Sequence, residues 1–169
     1  TNYISSDLLA KIVSRFRSKY PGVQITLTEA NSVHLREMLL SEEADLVIDN
    51  FAPYLDLFEG FPLIDEHILL CVPKNREINK RYEDFQITAQ SIYDNLADIE
   101  RAPSLDISVF KDEPFILLKS GNDMLDRANA IFQSNNIKPN VVFNVDQLNI
   151  SFALAQLALG SCFVTDTIF

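Results

Sequence analysis

The stretch from Leu8 to Asn50 switches repeatedly between helical and strand-like hydrophobic periods, and this switching constrains the fold more than any other feature. Leu8, Leu9, Ile12, Val13 and Phe16 recur at helical spacing, while Lys11, Arg15 and Arg17 fall mostly on the other face. Ser5, Ser6 and Asp7 are all suitable N-caps for this helix. Tyr20-Pro21-Gly22 ends it, because proline disfavours helical geometry in the residue before it. Val23, Ile25 and Leu27 then alternate with Gln24, Thr26 and Thr28, which predicts a strand. Asn31 or Ser32 caps a second helix carrying Leu35, Met38 and Leu39, and residues 45–49 (DLVID) read as a short buried strand. A helix–strand–helix–strand unit of this kind builds an open α/β sheet. The polar corners at its strand ends are where such sheets collect ligands.

The rest of the chain continues the alternation. Residues 50–62 read as a loop around Pro53, Gly60 and Pro62, and Ile68–Val72 as a central strand. Residues 74–112 are polar, with one amphipathic helix predicted near 88–100. A second ordered block follows: a strand at 115–118 (FILL), a polar corner at 119–123 (KSGND), and a helix from about Met124 to Ser134. Pro139 leads into a strand at 141–145, Asp146 and Asn149 are candidate caps for a helix over 150–159, Gly160 stops that helix, and 162–164 form a further strand.

The two blocks share one order of parts: polar corner, helix, proline-led strand, polar corner, helix, short strand. This echo suggests two α/β lobes facing across a cleft, with helix N-termini near Ser6, Ser32, Asn122 and Asn149 at strand ends. Free N–H groups and the positive end of the helix dipole favour an anion there. Thr1, Tyr3, Ser32 and Ser120 add neutral hydrogen-bonding groups.

Composition narrows the partners. A net charge of −10 opposes direct nucleic-acid binding, which rests on basic groups neutralising phosphates. No apolar run approaches the length of a membrane span, and residues 1–20 do not read as a signal peptide. Cys71 and Cys162 both sit in apolar strand-like runs, which favours buried reduced thiols over a disulfide and, mildly, the cytoplasm.

Signatures of catalysis are scarce. The four glycines are not spaced as a phosphate-cradling loop or a dinucleotide fingerprint. His34 reads as an exposed helix residue and His67 as the start of a strand, neither with a partner at metal-ligand spacing. No G-x-S-x-G elbow is present. Binding without catalysis, and without a cofactor or metal, is the expectation.

These residues together resemble the effector-binding domain of LysR-type transcriptional regulators. The resemblance is carried by residues 8–48 (LLAKIVSRFRSKYPGVQITLTEANSVHLREMLLSEEADLVI), by Leu69–Pro73 (LLCVP), by Glu113–Ile116 (EPFI), and by Asn140–Val145 followed by a helix ending at Gly160. It implies an α/β, two-lobed type 2 periplasmic-binding-protein-like fold with the effector cleft between lobes. Lobe I would take residues 1–73 and lobe II residues 74–169. By position in the family, effector contacts fall on Thr1, Tyr3, Asn31 and Ser32, and across the cleft on Leu118, Lys119, Ser120, Val145 and Asp146.

The resemblance also implies a cytoplasmic protein with a small-molecule effector, a carboxylate or other anion. Its regulatory domains would pair as a homodimer, with a tetramer for the full-length protein. DNA would be reached only through a helix-turn-helix domain outside this sequence. The first lobe is expected to be incomplete here, since its first strand would precede Thr1 and its return segment would follow Phe169. Residues 75–112 are longer than the usual connector, and Tyr3 stands where a small hydroxyl residue is commoner. An exported type 2 solute-binding protein is the alternative, and an enzyme on the same fold a further one.

Overall fold

The structure is a computed structural model and describes residues 6–49, 57–94, 99 and 102–168. Its best-packed part is built on strand β2 (Pro114–Leu118), where Phe115 to Leu118 are all buried. A strand this apolar on both faces needs cover on both sides. On one edge β2 pairs in parallel with β3 (Asn140–Val145), with a register irregularity that sets Phe115 opposite Val141 and Ile116 opposite Phe143. On the other edge Ser161 forms a single parallel bridge, donating its N–H to Pro114 O at 2.7 Å and accepting from Ile116 N at 2.8 Å. That bridge leads directly into β4 (Cys162–Thr165), which pairs antiparallel with β1 (Ile68–Cys71). The strands therefore neighbour one another in the order β3, β2, β4, β1.

Two helices cover the sheet, and four others precede them among the described residues. Helix α1 spans Ser6–Lys19, α2 Ser32–Leu40, α3 Ile78–Arg81 and α4 Ala89–Asp94. Helix α5 (Asp123–Ser134) connects β2 to β3 and buries Met124, Ala128 and Phe132, a single stripe at i, i+4, i+8. Helix α6 (Leu148–Gln156) buries Leu148, Ser151 and Ala155 against the same core. Phe115, Phe132 and Phe163 meet at its centre, Phe115 lying edge-on to Phe132 at 4.9 Å between centroids. Burying an aromatic of this size stabilises by roughly 1.5–3 kcal/mol, so this cluster dominates the local energetics.

Helices α2, α5 and α6 stop in one way, by the paired hydrogen bonds of a Schellman turn. In α5 Ile137 N reaches Phe132 O at 2.9 Å, in α6 Leu159 N reaches Leu154 O at 3.1 Å, and in α2 Glu43 N reaches Met38 O at 2.9 Å. The turn needs a left-handed residue, and here Asn136 (φ 53°), Ala158 (φ 63°) and Glu42 (φ 60°) supply it instead of glycine. The expectation that Gly160 stops α6 is thereby corrected, since the helix ends at Gln156 and the left-handed stop falls on Ala158. Gly160 serves a different end, because a Cβ there would lie 3.0 Å from Ile116 Cγ1 and 3.1 Å from Pro114 O.

The strands predicted at 23–28 and 45–49 are not laddered among the described residues. Val23, Leu27 and Leu46 are 50%, 62% and 73% exposed. Alternating hydrophobicity makes a segment competent for a sheet, but the ladder requires a neighbouring strand, and no described segment pairs with either. Residues 57–62 contain no helix or strand, as expected for a loop, while residues 50–56 lie outside the described set. The helix predicted near 88–100 is present as α4, with residues 95–98 also outside that set.

Candidate functional site

The corner that opens α2 is made by Asn31 and Ser32. Asn31 is extended (φ −73°, ψ 162°), and its side-chain oxygen accepts from His34 N at 2.9 Å, capping one of the orphan N–H groups of the first turn. Ser32 is buried, and its hydroxyl donates to Asp49 Oδ1 at 3.3 Å. The first helical turn, Ser32 hydroxyl and Asp49 carboxylate thus share one small region.

The corner after β2 is the counterpart. Asn122 is buried and caps α5 through its side chain, accepting from Met124 N at 3.0 Å. Gly121 takes a left-handed conformation (φ +88°), and a Cβ built on it would sit 3.7 Å from the Asn31 amide nitrogen. The N-terminal corners of α2 and α5 therefore lie against each other, although most of the described chain separates them in sequence.

Acidic groups line this junction. The Asp123 carboxyl is pushed above its ordinary value of 3.8, chiefly by burial, against the lowering effect of Arg127 and with further raising by Asp49, Asp126 and Glu66. Its Oδ2 is buried without a hydrogen bond and pairs with Arg127 Nη1 at 3.6 Å. Arg127 also reaches Glu66 Oε2 at 3.4 Å, and Glu66 Oε1 accepts from Thr167 Oγ1 at 2.8 Å. The first turn of α5 is by this route keyed to the segments just before β1 and just after β4.

Those two segments are themselves clipped together. The side chain of Asp166, wholly buried, accepts from His67 N at 3.1 Å and meets His67 Nδ1 at 2.8 Å, while Asp166 N donates to His67 O at 3.0 Å. His67 does precede a strand as expected, but it is engaged in this clip. His34 is exposed on α2, 3.4 Å from Glu37. Among the described residues no group of three or more His, Cys, Asp or Glu could hold a metal ion.

The remaining expected contacts sort as follows. Asn31, Ser32 and the 120–123 corner are brought together. Lys119 N donates to Val145 O at 2.9 Å, and Lys119 Nζ pairs with Asp146 Oδ2 at 2.7 Å, so this second pair of corners also meets. The Leu118 side chain points into the core and Val145 is half-buried, leaving mainly their backbone at the corner. Ser120 is exposed. Asp146 and Asn149 do not cap α6 as expected. The N-cap is Gln147, without a side-chain cap bond, since Asp146 is drawn to Lys119 and Asn149 Oδ1 accepts from Ile150 N at 2.9 Å. Thr1 and Tyr3 lie outside the described residues. Sequence reasoning left out Gly121, Asp49, Glu66 and Arg127. Only Gly121, a glycine between two polar residues after a strand, carried a local signal.

A void of about 10 Å³ lies in the core among Ile116, Leu118, Met124, Ser151 and Phe163, too small to hold more than a single water. No helix of the described residues is long and apolar enough to cross a membrane.

With this geometry in hand, comparison with known proteins is informative. Over 153 residues the chain is 26% identical to an uncharacterised HTH-type transcriptional regulator, YcgK of Bacillus subtilis (strain 168), covering 90% of this chain and 46% of that protein. The chain spans about half the length of the curated relatives it matches. Among solved structures, the effector binding domain of QuiR in complex with shikimate matches with a TM-score of 0.73 at 14% identity, covering 96% of this chain and 69% of that one. The regulatory domain of CcmR from Synechocystis PCC6803 in complex with 2-PG matches with a TM-score of 0.68, also at 14% identity, over 97% and 69%. Identities this low establish a shared fold, the two-lobed α/β type 2 periplasmic-binding-like architecture. The family model for the LysR substrate binding domain matches residues 1–169, and the chain belongs to that family.

Proposed function

We propose that this chain is the effector-sensing domain of a LysR-type transcriptional regulator, binding a small ligand between two lobes. Residues 1–73 make the first lobe and 74–169 the second, with β1 and β4 as paired strands at the connection. The ligand sits between the Asn31–Ser32 corner and the 119–123 corner, bordered by Val145 and Asp146, with Thr1 and Tyr3 completing the near wall. The observation that carries this reading is the approach of Gly121 to the Asn31 side chain, which sets two helix N-termini on one spot.

A small carboxylate is the favoured ligand class. The first-turn N–H groups of α2 and α5 lack intrahelical partners, and a helix N-terminus stabilises negative charge. The shikimate of QuiR supports the same class. The bound ligand acts by preferring one lobe arrangement, and only its differential affinity for the two arrangements shifts the balance. DNA binding belongs to a helix-turn-helix domain outside this sequence, in a cytoplasmic protein whose regulatory domains pair as a homodimer, within a tetramer at full length. The domain itself performs no catalysis.

The test is a thermal-shift screen of small carboxylates, amino acids and inorganic anions, followed by calorimetry of any hit on Ser32→Ala and Ser120→Ala. Each substitution is expected to weaken binding by about 1 kcal/mol for the hydrogen bond removed. Unchanged affinity in both variants removes these corners from the site.

A further inference from the structure

The antiparallel register of β1 and β4 sets Cys71 directly opposite Cys162. Both are free thiols, Cys71 half-exposed at the end of its strand and Cys162 wholly buried. Directly opposed residues of an antiparallel pair carry their side chains on one face of the sheet. The backbone bond from Asp166 N to His67 O puts 67 and 166 in phase with the hydrogen-bonded positions of the ladder, although His67 N itself turns to the Asp166 carboxylate. Alternation along the ladder then makes 69 with 164, and 71 with 162, hydrogen-bonded pairs too. The α-carbons of such a pair stand about 5.5 Å apart, inside the roughly 4.4–6.8 Å range a disulfide spans.

We infer that Cys71 and Cys162 form a reversible, oxidant-responsive dithiol pair, closing to a disulfide that staples β1 to β4. Their surroundings divide the labour. Hydrogen bonding with the Cys162 side chain holds the Cys71 sulfur's pKa below its ordinary value, against the opposing effect of burial. Cys162 is pushed the other way by the same hydrogen bond and by its own burial. Cys71 is the one of the two that solvent reaches, so it meets the oxidant and attacks, and the buried Cys162 is the resolving thiol.

The oxidant class is a small hydroperoxide. The Cys71 thiolate attacks one peroxide oxygen, the O–O bond breaks, and Cys71 becomes a sulfenic acid as hydroxide (or alkoxide) leaves and takes up a proton. The Cys162 sulfur then attacks the Cys71 sulfur, the S–O bond breaks, and the departing hydroxide takes the Cys162 proton to leave as water. Two electrons pass from the thiols to the peroxide, and one S–S bond forms. A dithiol reductant reverses the change by thiol–disulfide exchange.

The covalent link falls between the strands that precede and follow the Glu66–Arg127–Asp123 and His67–Asp166 contacts. Oxidation therefore fixes the strand pair to which the first turn of α5 is keyed.

The decisive experiment treats the native protein with a stoichiometric amount of hydrogen peroxide and reads intact mass and peptide maps before and after dithiothreitol. The expected result is loss of two hydrogen masses, a linked pair of peptides containing Cys71 and Cys162, and full recovery on reduction. Cys71→Ser should block the reaction, and Cys162→Ser should stop it at a sulfenic acid trapped by dimedone. The wild-type peptide map decides the matter even if either variant fails to fold. Oxygen addition without the linked peptides, linkage only between separate molecules, or no reaction until the protein is denatured would each overturn the proposal.

Discussion

Gly121 passes the Asn31 side chain at a distance that would leave an added Cβ in ordinary contact, 3.7 Å from the amide nitrogen. Space is therefore available for a methyl group at 121, but the backbone there is left-handed at φ +88°. Gly121→Ala is expected to cost roughly 1–2 kcal/mol from that conformation alone. Urea unfolding measures it, and an unchanged midpoint would show that the corner relaxes without strain.

Gly160→Ala tests the opposite situation. The added methyl would meet Ile116 Cγ1 at 3.0 Å, Val142 Cγ2 at 3.3 Å and the backbone oxygen of Pro114 at 3.1 Å. A backbone oxygen held by the Ser161 bridge cannot rotate away, so overpacking should cost about 1–3 kcal/mol. Chemical denaturation with an unchanged m-value is the readout.

Ala158→Gly should stabilise the protein. Ala158 occupies the left-handed position of the α6 stop at φ 63°, where glycine carries no Cβ penalty. The gain is expected to be about 0.5–1 kcal/mol after glycine's greater freedom in the unfolded chain is subtracted. A fall in melting temperature would contradict the Schellman assignment.

How much of this was legible beforehand follows from what local sequence encodes. Residues 115–118 and 162–164 were readable as strands because burial on the sheet selects apolar runs, whereas 141–145 were readable from β-branched and aromatic composition although Val141, Val142 and Phe143 are exposed. The ends of α1 and α5 were read to within a residue, but the stop of α6 was not, because Ala158 holds the left-handed position where glycine is the usual marker. Val23 and Leu27 gave a strand pattern that finds no ladder among the described residues, since pairing is supplied by a neighbour and not by the segment. Register is likewise a property of two strands, so both cysteines were seen and their opposition was not. Of the candidate site, the corners at 31–32 and 119–123 were set at helix starts by their polarity, and the structure shows helices opening there. The clustering of Asp49, Asp123, Glu66 and Arg127 depends on long-range packing that no spacing reveals.

Asp123 gives the site a pH signature. Its folded-state pKa is raised above 3.8, so the folded protein holds this proton more tightly than the unfolded chain. Stability from this group is greatest below 3.8 and is lost as pH rises through the raised value. Asp123→Asn is expected to flatten that part of the pH–stability curve. An anionic ligand at the α5 corner would raise the Asp123 pKa further, so its binding should take up a proton and tighten as pH falls. Calorimetry in buffers of different ionisation enthalpy counts that proton, and a pH-independent affinity would place the anion elsewhere.

The central claim is that one ligand touches both corners at once. Backbone amide NMR during titration with a carboxylate found in the thermal-shift screen tests it most directly. The expected result is saturable, parallel shifts of Asn31, Ser32, Ser120, Gly121 and Asn122, giving a single dissociation constant. Shifts confined to one corner, or gathered along α1 with both corners silent, would contradict it.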